Sequence, residues 1–188
     1  MQFKPNAVYH AFHKGDRGKL AERMVSGIIK LSTLDDFRQG KALGFNVNQY
    51  SHTEMIFPKN IAGEANSFSS RGMDKPSGVQ FKNIDYTKHP DRWDFVELLW
   101  LSNTRDIIVA HEYAKSLVGK AYAYNNVINT FSFVRTYKDR KGDGDFWCSE
   151  CDSLAAGHTE GKVSPNKLYT LDCLKNRQWV AGAYEQSR

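Results

Sequence analysis

Cys148 is the residue best suited to nucleophilic chemistry in this sequence. It follows a hydrophilic turn at residues 139–145 (DRKGDGD) and opens a short segment, residues 148–157, that we predict to be helical. Free backbone N–H groups and the helix dipole favour the thiolate at a helix N-terminus, and the thiolate is the reactive form of cysteine. Cys148 is therefore a candidate nucleophile, while an inert, buried cysteine remains the alternative interpretation.

A cysteine nucleophile needs a base that takes its proton, and histidine is the usual one. The chain has six histidines: His10, His13, His52, His89, His111 and His158. His52 lies in a β-prone run, residues 50–57 (YSHTEMIF), in which Glu54 lies on the same strand face roughly 7 Å away. A carboxylate would orient the imidazole ring, and Glu64, on the next predicted strand, is a second candidate because cross-strand pairing would bring it against His52.

Cys148 and Cys151 also form a C-x-x-C motif, which allows two other interpretations. With His158 and Cys173 the pair would supply four zinc ligands, but the spacing is not that of a known zinc ribbon or finger. A thioredoxin-like redox pair follows the first strand of a βαβ unit, whereas this motif follows a Gly/Asp turn late in the chain. We therefore expect no metal and no cofactor.

The elements that must position these residues alternate between short strands and helices, which predicts an α+β fold. The predicted strands are residues 7–13, 50–57, 62–68, 78–84, 93–100 and 178–184. Helical spacing of apolar residues covers 20–29 and 107–118, and Gly119 is expected to end the second of these helices. Residues 35–49 and 69–77 are predicted to be connections.

The composition is typical of a globular chain. Of the 188 residues, 40% are hydrophobic and 13% aromatic, which excludes a disordered chain and fits one domain, residues 1–188. Three cysteines are too few for a disulfide framework, and no apolar N-terminal segment resembles a signal peptide, so we expect a cytoplasmic protein. The net charge of +5 is dispersed, which predicts no specific nucleic-acid partner, and the longest uncharged stretch, 121–134, is too polar to span a membrane.

Several short motifs resemble one family. Residues 50–55 (YSHTEM) resemble the histidine strand of circularly permuted papain-like hydrolases, in the NlpC-type peptidase and amidase superfamily that includes YiiX-like proteins and small phage-encoded relatives. Residues 146–150 (FWCSE) resemble the nucleophile segment of that family, and residues 119–124 (GKAYAY) resemble a third motif. The motifs stand in the permuted order, with the histidine first and the cysteine last.

The resemblance implies a permuted papain-like fold, in which helices flank a central antiparallel sheet. It implies that Cys148 attacks an amide or ester carbonyl to form a thioester, with His52 as the base. Tyr122 matches a tyrosine that helps to hold the oxyanion with the backbone N–H of Cys148. For the third polar residue, spacing in the unpermuted pattern favours Glu64, whereas counting back from the next motif gives Ser69; Glu54, within the matched motif, is a further candidate.

The family also implies a class of substrate and two alternative roles. A peptide, a peptidoglycan fragment or an acyl group is the expected substrate of a thiol hydrolase of this kind. A catalytically idle domain that serves as a phage virion component or a binding module is the alternative, and such a protein would be located in the host cytoplasm or in the virion. The presence of both Cys148 and His52 favours the enzyme.

Overall fold

The computed structural model describes residues 3–14, 27, 33–123, 146–159 and 163–186 of the chain. The strands of the sheet are β1 (Tyr9–His13), β2 (His52–Ile56), β3 (Ser67–Arg71), β4 (Gly78–Lys82) and β5 (Trp93–Glu97). The α-helices are α1 (Leu34–Ala42), α2 (Lys59–Ala62), α3 (Thr104–Leu117), α4 (Cys148–Ala155) and α5 (Pro165–Gln186). Two 3₁₀ turns, Tyr86–Lys88 and Pro90–Arg92, precede β5.

The five strands form one antiparallel sheet in the order β4-β3-β2-β1-β5. Strand β1 pairs with β2 and β5, and its residue His13 lies opposite His52 of β2 and opposite Trp93 of β5. The predicted α+β class, with an antiparallel sheet and several helices, is therefore confirmed. Among the described residues, no helix has both the length and the apolar character that a bilayer crossing requires.

Strand alternation divides the side chains of β2 between two packing layers. Met55 packs with Phe68 of β3 and with Cys151 and Ala155 of α4 in the largest apolar cluster. Ile56 belongs to a separate apolar cluster with Tyr9 and Ala11 of β1 and Tyr86 of the first 3₁₀ turn. Helix α4 therefore lies against β2 and β3, which brings the predicted nucleophile segment to the predicted histidine strand.

Two regions have a different structure from the one that the sequence predicts. Residues 178–184, predicted to be a strand, belong to α5, because a proline at its first turn and a long run of helix-compatible residues continue one helix through them. Residues 35–49, predicted to be a connection, contain most of α1, where Asp35 and Asp36 lie in the first turn and complement the helix dipole.

The segment after β2 also differs from its prediction. A single helical turn, α2, follows Pro58, so the next strand begins at Ser67 rather than near residue 62. Residues 69–71, predicted to be a loop, complete β3, where the buried hydroxyls of Ser69 and Ser70 donate to the backbone carbonyls of Thr53 and Phe146. The predicted helix at 20–29, apart from Gly27, and the predicted turn at 139–145 lie outside the described residues.

Candidate active site

Cys148 is the first residue of α4 and is buried, with 6% of the residue exposed. The chain reaches the helix in an extended conformation at Trp147. Phe146, the residue before Trp147, pairs with the backbone of residues 121–123 through hydrogen bonds of 3.0 and 3.1 Å. Its carbonyl also accepts a hydrogen bond of 2.6 Å from the Ser70 hydroxyl. The start of the helix is therefore held to β3 and to the segment that follows α3.

The charge and hydrogen bonding of Cys148 act on the pKa of His52, so the thiol lies close to the imidazole. His52 begins β2, and a quarter of its side chain is exposed. Burial by itself would lower the pKa of His52, but the charge and hydrogen bond of Cys148, together with those of Glu54, raise it to about 10. The imidazole is therefore held in its protonated form at neutral pH.

Glu54 is the carboxylate that contacts His52, and its two oxygens have different partners. Oε1 lies 3.3 Å from Nε2 of His52. Oε2 accepts hydrogen bonds from Arg71 at 2.7 Å, from the Tyr86 hydroxyl at 2.7 Å and from the Ser67 hydroxyl. Three donors fix one oxygen, so the other is held toward the imidazole, and Nδ1 is the ring nitrogen left for Cys148.

The charge of Glu54 is kept despite deep burial, since only 1% of the residue is exposed. Burial opposes ionisation, but the His52 hydrogen bond and the Arg71 guanidinium hold the pKa of Glu54 well below its usual range. A charged carboxylate orients an imidazole and stabilises the imidazolium that forms when the base takes a proton. Arg71, Tyr86 and Ser67 contact Glu54 without any local sequence signal that marks them as its partners.

Glu64 and Ser69, the other candidates for the third polar residue, have different neighbours. Glu64 lies in the turn before β3, with 74% of its side chain exposed, and pairs with Lys59 at 2.8 Å. The expected cross-strand contact with His52 is wrong, because α2 displaces Glu64 from the strand. Ser69 is buried and donates to the carbonyl of Thr53 at 2.7 Å.

Tyr122 lies beside the start of the nucleophile helix. Its backbone forms an isolated parallel bridge with Phe146, two residues before Cys148. Its ring packs on Gly72, where an added Cβ would lie only 2.9 Å from the ring. The absence of a side chain at Gly72 therefore allows the tyrosine ring to approach the end of β3.

The residues of the zinc interpretation are engaged elsewhere. The Cys151 thiol donates to the Cys148 carbonyl at 3.1 Å, and His158 pairs with Asp172 at 2.9 Å. In the part of the chain that the structure describes, no group of three or more His, Cys, Asp or Glu side chains has a geometry that would hold a metal ion. The cysteines it describes are all free thiols.

A second buried polar network lies behind α4. Asp172 of α5 accepts hydrogen bonds from His10 at 2.7 Å and from His158 at 2.9 Å. Asp152, one turn after Cys148, accepts a bond of 2.6 Å from Thr53, the residue between His52 and Glu54. Burial raises the pKa of Asp152 to about 7, although His10 and Thr53 oppose the shift. The Thr53–Asp152 bond therefore ties the nucleophile helix to the histidine strand.

Comparison with known proteins finds no matching family model, no matching curated protein and no matching solved structure. The functional argument therefore depends on the chain's own residues and their geometry.

Proposed function

We propose that this chain is a circularly permuted papain-like, NlpC-type cysteine hydrolase that cleaves an amide or ester through a thioester intermediate. The observation that carries the proposal is the grouping of Cys148, His52 and Glu54 at the junction of α4 and β2, in which Glu54 Oε1 lies 3.3 Å from His52 Nε2 and Cys148 raises the pKa of His52. A thiol, a base and an orienting carboxylate in this order form a triad for nucleophilic catalysis.

The proposed reaction uses side chains that are already in contact. The Cys148 sulfur attacks the substrate carbonyl carbon while His52 holds the proton taken from the thiol. The tetrahedral oxyanion forms beside the N-terminus of α4, where the backbone N–H of Cys148 can donate to it, and Tyr122 is the candidate second donor. His52 then protonates the leaving group, and water, deprotonated by His52, hydrolyses the thioester.

The fold supports the proposal through the order of its elements. The histidine strand β2 precedes the cysteine helix α4 in the chain, and the helix packs on the antiparallel sheet. The mechanism needs no metal and no cofactor, because each proton and each bond is handled by a protein group. The proposed substrates are a peptide amide, a peptidoglycan fragment or an acyl ester.

The test is the capture of the acyl-enzyme. The full chain is incubated with peptidoglycan fragments, peptides and acyl esters, and turnover and intact mass are measured together. We expect a substrate-derived mass on Cys148 and a rate that falls at least ~10³-fold in Cys148→Ala. Cys173→Ala removes a thiol from α5, outside the proposed site, and is the matched control.

Two outcomes would contradict the proposal. Equal turnover by Cys148→Ala would remove the nucleophile from the reaction. A folded wild-type chain whose Cys148 stays unmodified by every substrate class would favour the alternative, a catalytically idle domain that binds a partner such as a phage virion protein.

A further inference from the structure

Two thiols lie in the first turn of α4. Cys148 is the first residue of the helix and Cys151 is three residues later. Residues with this spacing in an α-helix have Cα atoms about 5 Å apart, within the range that a disulfide spans. The Cys151 sulfur lies 3.1 Å from the Cys148 carbonyl oxygen, so its side chain already extends back along the helix toward Cys148.

The two thiols have opposite environments. Cys148 keeps 6% of its surface exposed and lies close to the His52 imidazole, whose pKa it raises. Cys151 has no exposed surface, packs in the main apolar cluster and lies 3.6 Å from Asp152 Oδ1. Burial, with the nearby charges of Asp152 and Cys148, raises the pKa of Cys151 well above its usual range. Cys148 is therefore the candidate reactive thiol, and Cys151 is held in its protonated form.

We propose that Cys148 and Cys151 form a reversible disulfide when a hydroperoxide reaches the site, and that this bond switches off the nucleophile while protecting it from irreversible oxidation. The proposal rests on the proposed function only in taking Cys148 as the reactive thiol. It assigns a role to Cys151, which the hydrolytic mechanism does not use.

The oxidation is a balanced two-electron process. The Cys148 thiolate attacks the terminal peroxide oxygen, the O–O bond breaks, and the alkoxide or hydroxide takes the proton held on His52; Cys148 becomes a sulfenic acid. The Cys151 sulfur then attacks the Cys148 sulfur, the S–O bond breaks, and the hydroxide leaves as water with the proton of the Cys151 thiol. The peroxide is reduced and the two thiols are oxidised to one disulfide.

Closure requires a small change in the helix. Cβ atoms three residues apart on a helix lie about 5–6 Å from each other, and a disulfide needs about 3.5–4.5 Å. Cys148 is the terminal helical residue after the extended Trp147, so no preceding helical turn resists its movement.

The test is mass spectrometry of the full chain after treatment with hydrogen peroxide. Trypsin releases both thiols in one peptide, residues 142–162, and Cys173 in another, residues 168–175. We expect the first peptide to lose two hydrogens, about 2 Da, and to recover with dithiothreitol. In Cys151→Ala, Cys148 should instead gain two oxygens, about 32 Da, and the thiol recovered after reduction should fall about tenfold.

Further variants and outcomes separate this proposal from the hydrolytic one. Cys151→Ser, whose hydroxyl can still donate to the Cys148 carbonyl, repeats the test if the alanine variant unfolds, and Cys173→Ala should behave as wild type. Sulfenic acid at Cys148, trapped by dimedone equally in wild type and Cys151→Ala, would overturn the disulfide and leave the nucleophile intact. A disulfide in a chain that turns over no substrate would support this proposal and count against the hydrolase.

Discussion

Two buried clusters in this chain pair histidine with a carboxylate, and they differ in what surrounds the pair. The reactive cluster consists of Cys148, His52 and Glu54, and the inner cluster consists of His10, Asp172 and His158. The side chain of His52 is 25% exposed, whereas those of His10 and Asp172 have no exposed surface. The reactive cluster alone places its histidine against a thiol.

The carboxylates of the two clusters are held in different ways. Glu54 presents one oxygen to His52, and fixed donors hold the other. Asp172 presents one oxygen to each of two histidines and so links β1, the turn after α4 and α5. On the proposed function, the same pair of groups would serve proton transfer beside a nucleophile in one cluster, whereas in the other cluster it joins secondary structure elements.

The largest expected effect separates the clusters by activity. His52→Ala should lower turnover of any substrate found by at least ~10²-fold, and the rate of Cys148 alkylation by iodoacetamide at pH 7 by roughly tenfold, because the base and its charge are lost. His111→Ala on α3 is the matched control, since His111 belongs to neither cluster. Equal alkylation rates in wild type and His52→Ala would end the assignment of His52 as the base.

The inner cluster should respond through stability instead. Asp172→Asn keeps the shape of the side chain but removes the charge that faces the buried His10 and the half-buried His158, so we expect the free energy of unfolding to fall by about 3 kcal/mol. Urea denaturation measures this loss. Asp35→Asn, in an exposed pair with Arg38, is the control and should change stability by less than about 0.5 kcal/mol. A loss for Asp172→Asn as small as that of the control would remove the structural role.

The titration of His52 tests the electrostatics of the reactive cluster. The pKa of His52 is about 10 in the folded chain and about 6.5 in a free side chain. Protonated His52 therefore contributes fully to the free energy of unfolding below pH 6.5, and this contribution is lost as the pH rises through about 10. NMR should therefore show a protonated imidazole at pH 8, with the resonance assigned by its absence in His52→Gln. The pKa should fall in Cys148→Ala and in Glu54→Gln. A wild-type midpoint near 6.5 would contradict the proposed contact.

The sequence was most informative where local pattern and structure agree. The strand at 50–57, the end of α3 at Gly119 and the start of α4 at Cys148 all follow from spacing and turn signals that act within a few residues. These elements carry Cys148 and His52, which the fold brings into contact. Local signals, together with the resemblance of the motifs, are therefore sufficient to propose Cys148 and His52 as candidate nucleophile and base.

The partners of these residues depend on tertiary contacts, which local pattern does not encode. Glu64 and Glu54 are equivalent as carboxylates near His52 in sequence, and only the turn of α2 after Pro58 decides between their positions. Asp172 is 162 residues from His10, and Tyr86 is 32 residues from Glu54. Long-range packing of the helices on the sheet selects such pairs.

The smallest expected effect sharpens the comparison at Glu54 itself. Tyr86→Phe removes one of three donors to Oε2 of Glu54, while Arg71 and Ser67 keep that oxygen fixed. We therefore expect the free energy of unfolding to fall by about 1 kcal/mol and the alkylation of Cys148 to slow two- to fivefold. Tyr50→Phe, which removes a hydroxyl from Asp94 at 2.8 Å, should leave alkylation unchanged. If both variants slowed alkylation equally, the effect would come from general loosening of the fold. A selective effect of Tyr86→Phe would show that the donors on Oε2 position the Glu54 carboxylate for His52. Asp172 has no equivalent arrangement, because each of its two oxygens pairs with a different histidine.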